Sequence, residues 1–236
     1  MTASSPGLHG SVLDALGLRL VTGDLAPGRV LTLEAIAREH AVSRPVAREA
    51  IRVLQSMGMV ASRRRVGVTV LPRSDWHVFD PLLIRWRLDS PERSAQLLSL
   101  SELRRGFEPV AASLAAERAT VEQCGVLASS ASDMLVHGRT GDLEAYLQAD
   151  VVFHRTLLAA SGNEMLRSMA AVVAEILAGR THHGLMPSRP NPHAIALHDA
   201  VARAVREREP AAAEAAMREI IDESAVAMRA ELGEGP

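Results

Sequence analysis

The run SRPVAREAIRVLQSMG, residues 43–58, constrains this chain more than any other stretch, because its residues fit only a helix with two opposed faces. Ser43 is a good N-terminal cap and Gly58 a good left-handed residue just past the end. Val46, Ala47, Ala50, Ile51 and Leu54 share one side. Arg44, Arg48 and Arg52 follow one another at four-residue steps and form a ridge on the other. Two short β-prone runs follow at once, 59–62 and 66–71, flanking Arg63, Arg64 and Arg65 beside Gly67. A helix of this kind followed by a hairpin implies a small domain with an exposed, cationic edge.

Upstream, Leu8, Val12, Leu16 and Leu20 recur at helical spacing, and Gly23 ends that helix. Pro27-Gly28 is a turn, Val30 and Leu31 a short extended piece, and Thr32 caps a helix carrying Ile36 and Ala37. The order helix, helix, helix, hairpin is that of a winged helix-turn-helix. Its third helix can lie in a major groove, where guanidinium groups bond guanine edges or clamp phosphates, while the hairpin arginines reach the flanking backbone or minor groove. The plainer alternative is a solvated stripe of arginines paired with Glu39 and Glu49. Charge distribution favours the first. Residues 1–72 hold nine Arg against five acids, and the remainder holds seventeen Arg against twenty-three acids, with no Lys anywhere. A cationic head on an anionic body sends the head to a polyanion and keeps the body away from it.

Residues 72–81 read as a linker, and beyond them helical period dominates. Helix starts are signalled at Ser90-Pro91, at the capping box Thr120-Val121-Glu122-Gln123, at Gly141-Asp142, after Gly162, at Asn191-Pro192 and at Pro210, with the fourth of these helices ending at Gly179. Aromatic residues are only 3% of the chain, so the core must come from aliphatic side chains, which suits packed helices. The expected fold is mainly α: a winged helix-turn-helix at 1–72, a linker at 73–90, and an all-α bundle of about six helices at 91–232. Cys124 is the single cysteine and excludes an internal disulfide. No apolar run approaches the roughly 20 residues that cross a bilayer, and the start of the chain lacks the pattern of an export signal, so a cytoplasmic location is expected.

In the body, Asp150 and His154 lie four apart, so both leave one helix face and can converge on a divalent ion. The spacing alone equally fits a hydrogen-bonded pair. His198, on a later helix, can add a third ligand from across the bundle.

Residues 28–72 resemble the winged helix of the GntR regulators through SR, REA, L and GMV at matching intervals. The resemblance implies that Arg44 and Arg48 contact an operator and that Ser43 and Arg52 meet phosphates. Pro45-Val46-Ala47 and Glu34 depart from the family pattern. The segments ELRRGFEPVAASLAAERAT, DVVFHRTLLAASGN and LHDAVARAVREREPAAAEAAM resemble the FCD ligand-binding domain of the FadR subfamily. By that resemblance Asp150, His154 and His198 are metal ligands, with Zn, Ni or Mn compatible, and Arg104 faces the effector. The family's further histidine falls at Ile220, which cannot coordinate; His182, His183 and His193 lie nearby in sequence. WHVFDPLLIRWRL is similar to the lead-in segment of the DgoR-like branch, associated with sugar acids, and Trp76 and Trp86 read as packing anchors between head and body.

These readings together imply a homodimeric repressor that binds a palindromic stretch of double-stranded DNA and is released by a small carboxylate, with no membrane association. Two alternatives stand beside it: a His-Asp metal-dependent phosphohydrolase, and a regulator whose C-terminal domain only dimerises.

Overall fold

The computed structural model describes residues 8–63 and 65–231, so Arg64 lies outside the described residues. The chain divides between Arg93 and Ser94 into two compact units.

The first unit contains α1 (Leu8–Thr22), β1 (Val30–Leu31), α2 (Leu33–Glu39), α3 (Arg44–Ser56), β2 (Val60–Arg63) and β3 (Gly67–Val70), then a single 3-10 turn (Arg73–Asp75) and α4 (Pro81–Leu88). The expected helices and hairpin are present. The strands form an antiparallel sheet in the order β1-β3-β2, with Ser62 opposite Val68 and Leu31 opposite the same residue on the other side. Thr32 caps α2 through a bond from the Ala35 amide at 3.1 Å. Ser43 occupies the cap position of α3, but its hydroxyl makes no capping bond. Pro45 at the second helical position removes one of the two amides a cap can reach, and the Ser43 hydroxyl does not engage the other, that of Val46. Gly58 takes a φ of +71°, as the helix end requires.

The apolar side of α3 (Ala47, Ala50, Ile51, Leu54) packs with Val12, Leu16 and Leu20 of α1 and with Val60, Val68 and Val70 of the wing. Residues 73–90, expected as a linker, belong to this core instead. Asp80 caps α4 by accepting from the Leu82 amide at 2.9 Å, and Pro81 sits at its first turn, a helix start that the run of loop-forming residues before it obscured. Leu83 and Trp86, three apart, then share one buried face. The two tryptophans are accordingly core residues of the first unit rather than anchors between units. Trp76 Nε1 donates to the Leu71 carbonyl at 3.2 Å, and Trp86 Nε1 to Asp14 Oδ1 at 3.0 Å. The Trp86 ring lies flush against Gly17 of α1, where an added Cβ would come within 2.4 Å of it. Gly17→Ala is therefore expected to lower stability by about 1–3 kcal/mol through overpacking, which thermal denaturation reads directly.

The second unit is helical throughout its described residues: α5 (Arg93–Arg118), α6 (Val121–Thr140), α7 (Leu143–Ala160), α8 (Glu164–Ser168), α9 (Ala170–His182), α10 (Pro192–Arg206) and α11 (Pro210–Glu231). The Thr120/Gln123 capping box forms reciprocally, at 3.2 and 2.9 Å. Asp142 and Asn191 cap α7 and α10 through the Ala145 and His193 amides. Three boundaries differ from expectation. Ser90 closes a turn, and α5 begins three residues later. The helix expected after Gly162 is broken at Met169 into α8 and α9. Its end comes at His182 rather than Gly179, since a buried glycine is tolerated inside a helix. The principal core of this unit is drawn from α5, α6, α7, α10 and α11 and holds two aromatic side chains, Tyr146 and Phe153, among aliphatic ones. No helix of the described residues is long and apolar enough to cross a membrane.

Candidate effector site and nucleic-acid interface

Five helices of the second unit, α5, α7, α9, α10 and α11, line its central cavity. On α7, Tyr146, Asp150 and His154 succeed one another at four-residue steps and are buried. From α10 comes His198 and from α5 comes Arg104, both buried. Arg180 of α9 and Ile220, Glu223 and Ser224 of α11 complete the lining. The cavity is small, about 40 Å³, which is room for roughly three waters.

Asp150, His154 and His198 each turn one ligand atom to a common point, all within 4.8 Å of one another. Asp150 Oδ1 is 3.2 Å from His154 Nε2 and 3.4 Å from His198 Nε2. Ligand atoms at about 2.1 Å from a shared ion stand about 3.0–3.4 Å apart along the edges of an octahedron or tetrahedron, so the spacing fits a coordinated ion. Two further observations agree. Asp150 Oδ1 and His198 Nε2 are buried without a hydrogen bond, an expensive state unless another partner takes them. The rear nitrogens of both rings are held by acceptors: His198 Nδ1 lies 2.7 Å from the Ala194 carbonyl, and His154 Nδ1 2.7 Å from Glu108 Oε2, the latter off-line for a good hydrogen bond. A carboxylate or carbonyl behind a histidine fixes the tautomer that leaves Nε2 free for a metal. Phe153 stands edge-on to both imidazoles at 5.7 and 5.0 Å and fixes their planes. The residues fit a divalent cation. Ile220 is buried on the cavity wall, so this set has three protein ligands. His182 and His193 are exposed and pair with Glu144 and Glu219, and with His183 they lie outside the cavity lining.

Arg104 stands four residues before Glu108 on α5. It is fully enclosed and grips Glu108 with two bonds, Nε to Oε1 at 2.5 Å and Nη2 to Oε2 at 3.2 Å. Burial alone would raise the Glu108 carboxyl, but Arg104 and His154 outweigh it and hold the group at about 2. Burial opposes the charged form of His154 as well, and Glu108 and Asp150 more than offset this, raising its pKa. Arg180 is different: burial and the nearby Arg104 charge lower its pKa.

Sequence reasoning missed Glu108, Arg180 and Tyr146. Tyr146 could have been found by stepping one turn back from Asp150. Glu108 and Arg180 lie on other helices, and no spacing rule links them to α7.

Because Glu108 is ionised far below its ordinary 4.5, it contributes stability above that pH, which is lost as pH falls toward about 2. The shift corresponds to about 3 kcal/mol at neutral pH. Glu108→Gln is expected to lose that amount, and to flatten the dependence of the melting temperature on pH between 4.5 and 2. An unchanged acid limb would show that the carboxylate does not act this way.

In the first unit, Ser43, Arg44, Arg48, Arg52, Arg63 and Arg65 are all exposed. Arg52 pairs with Glu49 at 2.6 Å and Arg44 with Glu34 at 3.4 Å. Glu39 binds Arg19, not the ridge. Arg48, at the centre of the ridge, has no ion-pair partner among the described residues. Exposed pairs of this kind hold arginines weakly and release them readily to a phosphate. Gly67 has a φ of +114°, and a Cβ there would meet the Leu31 carbonyl at 2.7 Å, so the close approach of β1 and β3 already requires glycine.

Residues 8–70 match the bacterial regulatory proteins of the gntR family, and residues 99–223 match the FCD domain. The galactonate operon transcriptional repressor of Escherichia coli K12 is 29% identical over 215 residues, covering 90% of this chain and 93% of that protein. The regulator LutR of Bacillus subtilis is 33% identical over 156 residues, covering 66% and 68%. Among solved structures, Lar of Listeria monocytogenes aligns with a TM-score of 0.60 at 19% identity, over 97% of this chain and 99% of that one. McbR/YncC of E. coli gives 0.57 at 18%, over 98% and 100%. These two establish the fold. The phosphohydrolase alternative is overturned by the family match, whose members are transcription regulators rather than enzymes. The chain belongs to the GntR family of bacterial transcription regulators, in the group whose C-terminal unit is an FCD domain.

Proposed function

We propose that this regulator represses transcription as a homodimer on a palindromic operator, and that a small carboxylate binding beside a divalent ion in the second unit releases it. The carrying observation is the three-sided ligand set Asp150, His154 and His198, opening on a cavity that two arginines also line. Three protein ligands leave coordination positions for water or an effector oxygen. Zn, Ni and Mn all accept such a nitrogen and oxygen set. When bound, the ion supplies a fixed positive charge that attracts an effector carboxylate. Glu108 holds His154 in place for that ion, and Arg104 holds Glu108.

In the first unit, Arg44 and Arg48 read base edges, while Ser43, Arg52, Arg63, Arg64 and Arg65 meet the backbone, with Gly67 letting the wing come close. The free Ser43 hydroxyl supports a phosphate contact. An effector acts only through unequal affinity for the DNA-bound and DNA-free poses, so its binding and operator binding must weaken one another equally. The 29% identity to a galactonate operon repressor makes sugar acids the first effectors to try.

Fluorescence anisotropy with the DNA upstream of its own coding region tests this. Binding with a two-protomer stoichiometry, weakened by a sugar acid in the presence of metal and restored by chelator, is expected. Operator affinity indifferent to every small carboxylate and to chelator would remove the effector mechanism.

A further inference from the structure

Of the two arginines on the cavity wall, one is already engaged. Arg104 commits Nε and one terminal nitrogen to Glu108 in a buried pair. Arg180 is buried too, 9% exposed against 2% for Arg104, yet its Nε has no hydrogen-bond partner, and no carboxylate among the described residues lies in ion-pair range. A buried cation without an ion-pair partner is costly, and the Asp150 and Glu223 carboxylates favour this one only from beyond ion-pair range. Such a charge is explained if something outside the protein supplies its counter-ion.

Resting on the metal and effector reading above, we infer that Arg180 is the carboxylate-anchoring residue of the effector site and that the effector is a monocarboxylate. Charge balance selects the class. Around the cavity the carboxylates of Glu108, Asp150 and Glu223 stand against Arg104, Arg180 and a divalent ion, which leaves one positive charge. A monocarboxylate neutralises it; a dicarboxylate would reverse its sign inside a closed space. Size agrees. A cavity with room for roughly three waters takes a carboxylate head group and little more, so the head group is what the site holds tightly. The planar guanidinium matches a carboxylate through two parallel bonds. The hydroxyl of Tyr146 and the amide of Asn191, which already donates to Glu223 at 2.9 Å, lie on the same wall and suit a hydroxylated acid.

Calorimetric titration of the full chain loaded with Zn tests the assignment, with acetate, glycolate and galactonate as probes and the dicarboxylate malonate as the contrast, which would overturn the monocarboxylate class by binding as tightly as the best of the three. Wild type is expected to bind at least one of them. Arg180→Gln is expected to weaken that binding about 100-fold and leave Zn affinity within about threefold, since the side chain is no ligand. Arg180→Lys keeps the charge without the fork and should fall between, near 10-fold. Without probe, Arg180→Gln should melt at or above the wild-type temperature, because an unpaired buried charge has gone. Equal affinity in wild type and Arg180→Gln would overturn the role of Arg180 and leave the metal and effector reading intact. A large loss of stability in the glutamine variant would overturn it too, by showing a structural cation. If wild type binds none of the three acids, both the inference and the effector reading fall.

Discussion

His198→Ala is expected to lower the affinity for Zn, Ni or Mn several hundred-fold and to abolish the metal-dependent response to a carboxylate. Structural metal sites with four ligands hold zinc by about 10–16 kcal/mol, so each ligand carries roughly 3–4 kcal/mol. With three protein ligands and Ile220 on the wall, no spare side chain takes over. His198 is also the cleanest ligand to remove. His154 lies against both Glu108 and Asp150, so its loss takes a neighbour from two buried carboxylates, whereas His198 touches one, Asp150, and donates from its far side to the Ala194 carbonyl. Chelator competition with a metal-sensitive dye gives the affinity, and circular dichroism confirms the fold. Metal affinity within threefold of wild type would show that the triad is a hydrogen-bonded core cluster.

Removing both groove-facing arginines, Arg44→Ala with Arg48→Ala, should weaken operator binding by about 2–6 kcal/mol, each bidentate base contact contributing about 1–3. The two residues are one turn apart, so some non-additivity is expected. Arg48 has no acid partner to leave and should account for the larger share, while Arg44 first gives up Glu34. Anisotropy on specific and scrambled duplexes separates the roles. A loss confined to the specific duplex identifies base readers, and an equal loss on both, with a shallower salt dependence, identifies phosphate clamps. No loss on either would return the ridge to a solvated surface.

Much of this was legible because it depends on residues near one another in the chain. The apolar and arginine faces of α3, the left-handed Gly58, the Thr120 capping box and the Asp150/His154 pair are all set by local spacing. The Arg-rich hairpin was legible too, although Arg64 itself lies outside the described residues. What failed, failed where partners are distant. Trp86 could pack against anything until Gly17, on a helix far upstream, opened a slot for its ring. His198 could be offered as a third ligand from across the bundle, but only family resemblance assigned it to the triad, since its partners sit on another helix.

By itself, then, the sequence determined most of the helical segments, which of their faces are apolar, and that the head is cationic, because propensity, capping and period act over a few residues. Only the tertiary structure decided that α4 belongs to the head, that Arg104 is locked to Glu108 while Arg180 has no ion-pair partner among the described residues, and that three ligand atoms from two helices share one point. Those are questions of which helix faces which, and they are settled by packing among residues too far apart in the chain for any periodicity to relate.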